Sequence, residues 1–160
     1  MLIVDAQVHL WANHVPGNPG HRQIPDFTAD DLLKEMDEGG INAAIIHPPS
    51  WDPESDSLAL DAAKAHPNRL SILGKIPLDN PESHSLVDGW LGQPGMLGFR
   101  FSFTQPHQAT WPKDGTMEWV WPEAERLGIP IALMASNYMS MVAPVDRKST
   151  RLNSSHALIS

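Results

Sequence analysis

Asp5, Gln7 and His9 stand at alternate positions in the run Leu2-Ile-Val-Asp-Ala-Gln-Val-His-Leu-Trp11. In an extended strand alternate residues share a face, so all three are expected to point one way. Three polar groups converging at the end of an apolar strand are costly unless they bind something or satisfy one another. His9 can give a hydrogen bond to a substrate carbonyl, lend a lone pair to a metal, or simply be satisfied inside the fold. Asp5 suits loop backbone N–H groups as well as any direct role. A second apolar run, Asn42-Ala-Ala-Ile-Ile-His47, ends in His47-Pro-Pro-Ser50-Trp51. Arg100 lies near the end of Met96–Phe101, where its plain reading is an ion pair.

These side chains need elements to carry them. Residues 12–26 are rich in Pro, Gly, Asn and His and are expected to form a long loop, in which His14 and His21 are solvated. A helix follows, with Thr28 as N-cap, Asp31 completing a capping box, Phe27 stapled to Leu32, and Gly39-Gly40 as its end. Leu32, Leu33 and Met36 form its buried stripe. Residues 42–47 form a strand buried on both faces. A helix over roughly 53–66 buries Leu58, Ala62 and Ala65. A third strand covers 70–76, and Asn80-Pro81 starts a helix whose apolar face is Leu86, Val87, Trp90 and Leu91. The fourth strand is 96–101, and a loop over 102–115 carries His107 and Trp111. Helix follows from Pro122 to Leu127, where proline fits only the first turn. A fifth strand spans 129–135, and residues 139–145 begin another helix.

Strand and helix alternating in this way indicate parallel βα units. No Gly-x-Gly-x-x-Gly follows a strand, which disfavours a dinucleotide fold. Periodicity leaves an open doubly wound sheet and a barrel both possible.

The first strand resembles that of the amidohydrolase superfamily, Asp-x-His-x-His, with Gln7 at the first histidine position and His9 at the second. The resemblance is to the amidohydrolase-related branch that includes 2-pyrone-4,6-dicarboxylate lactonase, over roughly residues 1 to 145. It implies an α/β fold, a partial (β/α)8 TIM-like barrel comprising about the first four to five βα units. A whole barrel takes roughly 250 residues. Catalytic groups then belong at the C-terminal ends of the strands, where Gln7, His9, Trp11, His47, Ser50, Trp51 and Arg100 all fall.

The resemblance further implies a hydrolase of a small organic acid, lactone or ester. His9 would polarise the carbonyl, Arg100 would hold a carboxylate, and Ser50 would donate beside it. The water-activating aspartate would come from strand eight, beyond this chain. Metal independence is expected. Catalytic zinc generally keeps three protein ligands, but Gln7 and Met134 are poor ones, and the end of strand five, with Met134, Ser136 and Asn137, offers no histidine. The alternative is a metal-dependent decarboxylase on the same barrel, with zinc held in part by His9. A third possibility is a truncated, catalytically inactive fragment.

Six tryptophans suggest an aromatic lining. Trp11, Trp51 and Trp111 lie in loops suited to a substrate, whereas Trp90, Trp119 and Trp121 suit packing. The 160 residues are 41% hydrophobic and 19% charged, as in a folded globular chain. A net charge of −8 argues against nucleic acid or an anionic membrane as partner. No apolar run reaches the roughly 20 residues of a membrane helix. The absence of cysteine excludes disulfides and thiolate chemistry in this sequence. Cytoplasmic residence, a small-molecule carboxylate or lactone as partner, and a homo-oligomer are the resulting expectations. Residues 146–160, Asp-Arg-Lys-Ser-Thr-Arg onward, lack apolar periodicity and change the charge sign. They resemble a translated sequencing adapter, so a non-native tail on a longer natural protein is expected.

Overall fold

The computed structural model describes residues 1–134. Five strands, β1 (Val4–Val8), β2 (Ala43–Ile46), β3 (Leu70–Gly74), β4 (Met96–Phe101) and β5 (Ile131–Leu133), form one parallel sheet in sequence order. Between them run α1 (Ala29–Gly39), α2 (Ser55–Ala65), α3 (Ser83–Val87), α4 (Trp111–Asp114) and α5 (Val120–Leu127). Strand followed by helix in unbroken order is the first part of a (β/α)8 barrel. The sheet curls. On a flat sheet β1 and β4 would lie three strand spacings apart, roughly 14 Å, yet Arg100 of β4 reaches Gln7 of β1 at 3.3 Å.

The core lies between sheet and helices. Ala44, Ile46, Leu70, Ile72, Phe99 and Phe101 are buried there with Met36 of α1, Ala59 and Ala63 of α2, and Val120 of α5. The start of α1 follows its residues: Thr28 and Asp31 cap one another, and Gly40 closes the helix with φ 69°, a left-handed angle glycine adopts without strain. Pro122 falls in the first turn of α5, where its missing N–H costs nothing.

Some expectations need correction. In α2 the buried positions are Ser55, Ala59, Ala62 and Ala63, so Ala62 is buried as expected while Leu58 is half-buried and Ala65 exposed. The small alanines let α2 lie close to β3, so the helix is turned relative to the leucine-centred stripe. The helix after Asn80 is one short turn, and Trp90 sits in a separate 3-10 turn, which leaves Leu86 and Leu91 exposed. β2 is buried on one face only, with Ala43 and Ile45 half-buried, because the inner face of a partial barrel is not covered as a whole barrel's is. Residues 102–115 contain two short helical turns. The helix expected at 139–145 and the tail from 146 lie outside the described residues.

Candidate active site

Gln7 and His9 come to the end of β1 by an irregular route. Val4 and Asp5 pair with Ala43 and Ala44, but Val8 pairs with Ile46, so β1 carries one extra residue between Asp5 and Val8. The alternation expected to bring Asp5, Gln7 and His9 to one face is therefore interrupted. The Asp5 carboxylate instead accepts from the backbone N–H of Gln7 at 3.0 Å, the structural role foreseen as its alternative. Beyond the bulge, His9 stands beside the end of β2.

His9 Nδ1 lies 2.6 Å from the backbone oxygen of His47. A carbonyl only accepts, so Nδ1 carries the proton and the neutral ring offers a lone pair at Nε2. Burial lowers the His9 pKa, the His47 carbonyl opposes this, and the charges of His21 and Arg100 lower it further. The neutral ring is thus favoured. The carbonyl-polarising role expected of His9 is open only to its protonated form.

His47 is 4% exposed, and neither ring nitrogen has a hydrogen-bond partner among the described residues. Burial, then the Arg100 cation, then His9 bring its pKa down to about 4, while the Ala6 carbonyl, short of a full hydrogen bond, pulls weakly upward. Its nitrogens are enclosed, so direct substrate contact would require the ring to be uncovered. Arg100 is half-buried and has no carboxylate partner among the described residues; its Nη1 donates to Gln7 Oε1. Burial lowers its pKa, but a guanidinium remains a cation. Lys75, just past β3, differs in being paired with Asp56 at 3.3 Å.

The loop over 12–26 is a stapled flap. Trp11 and Phe27 exchange backbone hydrogen bonds at its root, and His14 N–H reaches the Pro25 oxygen at 2.9 Å. Buried Asp52 ties that root to the turn after β2 by accepting from Ala12 and Glu54 N–H groups at 3.1 and 2.9 Å. Trp11 is 4% exposed, packs on Phe27 and Trp51, and donates Nε1–H to the Ile24 oxygen. It anchors the flap and presents no open face to a substrate, contrary to expectation. Trp51 is half-buried beside it, and Ser50 stands exposed in the same turn. Trp111 meets His107, 5.5 Å between ring centroids. His21, expected to be solvated, instead lies 5.6 Å from His9 and 6.4 Å from Trp51, ring to ring. Nothing in its spacing from His9 signals this, since the flap's path decides it.

A family profile described as amidohydrolase matches residues 4–157. The chain belongs to the amidohydrolase family. Solved structures agree on the fold of this amidohydrolase chain. A Burkholderia multivorans amidohydrolase with bound zinc shares 16% identity over 92% of this chain, with a TM-score of 0.73. A probable 2-pyrone-4,6-dicarboxylic acid hydrolase from Acinetobacter baumannii, with citric acid bound, shares 17% over 90%, with a TM-score of 0.64. The chain spans 54% of the length of each. No curated protein matches it.

His9 Nε2 could serve as one metal ligand, but the amide oxygen of Gln7 already faces the Arg100 cation, which would repel a second positive charge. Among the described residues no three His, Cys, Asp or Glu side chains gather as a ligand set. No helix among them is long and apolar enough to cross a membrane.

Proposed function

We propose that the protein from which this chain comes hydrolyses a small organic acid, lactone or ester without a metal. The observation that carries this is Arg100: a half-buried cation, unpaired among the described residues, at the barrel mouth beside His9. Such a guanidinium favours a substrate carboxylate. Burial is the main cause of the lowered His9 pKa, and a carboxylate on Arg100 would remove the smaller contribution of that cation, in the direction of the protonated His9 that can polarise a carbonyl. In this reading Trp51, beside Trp11 and His21, and exposed Ser50 in the same turn contact the substrate. The pyrone-dicarboxylic acid hydrolase and the citric acid among the similar structures support a multiply carboxylated substrate. In this reading residues 1–145 are the N-terminal part of the barrel, residues 146–160 are a non-native tail, the protein is cytoplasmic, and this chain alone is inactive.

The second reading is a metal-dependent decarboxylase. It is favoured by the lone pair at His9 Nε2 and by the zinc in the Burkholderia neighbour.

Reading the source DNA past the codon for Val145 recovers the parent protein. Its turnover of small carboxylated lactones and esters is then followed with and without a chelator. Turnover that survives chelation and falls about tenfold or more in Arg100→Gln is expected, the loss of a charge-assisted hydrogen bond. Carbon dioxide release that requires zinc would establish the second reading instead.

A further inference from the structure

His9 has one proton on its ring when neutral, and that proton is committed to the His47 oxygen. Its free nitrogen can then accept but not donate. A carbonyl bound beside it needs a donor from elsewhere. His21 meets that need. Its backbone N–H is bound to the Asn18 oxygen, and its own oxygen accepts from Gln23 Nε2 at 3.0 Å. The same Gln23 nitrogen reaches the Pro16 and Asn18 oxygens, drawing the flap tip around a single amide. Arg22, the next residue, is clamped bidentately to Glu35 of α1 and lies over the Phe27 ring. Residue 21 is therefore fixed on both sides. Its half-buried ring lies edge-on to His9 and tilted toward Trp51, and its nitrogens bond no protein group among the described residues. An imidazole with both nitrogens free can donate in either tautomer.

We propose that His21, delivered by the flap, donates the hydrogen bond to the ligand's carbonyl oxygen, with Nε2 of His9 as the neighbouring acceptor. This rests on the hydrolase reading above and revises the donor in it. The ligand class is a small carboxylate that also carries a lactone or ester carbonyl, its carboxylate on Arg100 and its carbonyl under His21.

The test uses a 2-pyrone carboxylate labelled with carbon-13 at the lactone carbonyl, bound to the 160-residue chain and followed by difference infrared spectroscopy. The carbonyl band is expected to move to lower wavenumber on binding. His21→Phe keeps the ring against Trp51 but removes the N–H, so the band should return to its free position while the probe still binds. His9→Phe should retain the shift. His21→Gln, which can still donate, should restore part of it. A bound probe with an unshifted band, or a shift that survives in His21→Phe, overturns the inference and leaves the Arg100 reading standing. Binding lost in both His21 variants marks a structural role and overturns it as well. A probe that does not bind the unaltered chain overturns the inference, whereas turnover by the parent protein decides the hydrolase reading separately.

Discussion

His9 gives its Nδ1 proton to the backbone carbonyl of His47, so the end of β2 fixes which nitrogen of the His9 ring carries the proton. The same contact joins β1 to β2 just past the bulge, at the level where Arg100 crosses from β4 to Gln7. Two imidazoles therefore share a mouth with an unpaired guanidinium, and burial and charge both hold them neutral.

That neutrality makes stability depend on pH. The His47 pKa is 6.5 in the unfolded reference and about 4 in the fold. Between these values the unfolded chain binds the extra proton, so stability is full above about pH 6.5 and falls on acidification. His47 contributes at most roughly 3 kcal/mol to this loss by about pH 4. His9, shifted the same way, adds to it. Urea midpoints at pH 7 and pH 4.5 should differ, and His47→Gln should shrink the difference. An unchanged difference would mean that other groups dominate.

Asp52→Ala should destabilise the chain by about 2 to 4 kcal/mol, because two backbone donors lose their acceptor. Those donors belong to Ala12 at the flap root and Glu54 before α2. Asp52→Asn keeps one acceptor oxygen and should cost less. Denaturation curves for the two variants, with amide exchange along 12–26, check both the size and the place of the effect.

Gly98→Ala should be harmful for a steric reason. A Cβ there would sit 2.2 Å from the Pro130 oxygen, which accepts the Phe99 N–H at 2.9 Å as β5 joins β4. Something in that join must shift, at a cost of about 1 to 3 kcal/mol. A melting curve indistinguishable from the parent chain's would contradict this close approach.

β1 and β5 end the sheet among the described residues, and Val4 and Met134 are exposed beside those ends. Unpaired strand edges invite pairing between chains. The 160-residue chain is expected to self-associate, with its mass by light scattering rising with concentration. A monodisperse monomer with a single cooperative melt would contradict this.

Much of the scaffold was legible in the sequence because local chemistry decides it. Thr28 and Asp31 mark a helix start, Gly40 and Gly128 mark ends, and β4 falls on Met96–Phe101 as its apolar run indicates. Features that depend on one element meeting another were not legible. The bulge in β1 appears only against β2, so the shared face expected of Asp5, Gln7 and His9 could not be checked within the strand. Trp11 stands in a loop-like context but is claimed by Phe27, Ile24 and Trp51. His21 comes to His9 through the Gln23 bonds that fold the flap tip and the Arg22 bridge to α1, and neither leaves a periodic trace.

The most direct measurement is calorimetric titration of a 2-pyrone carboxylate into the chain and into Arg100→Gln. The account predicts binding to the unaltered chain that weakens about tenfold or more when the guanidinium is lost. It also predicts that the corresponding neutral amide does not compete. Equal affinity for both chains, or equal binding of acid and amide, would contradict a carboxylate site built on Arg100.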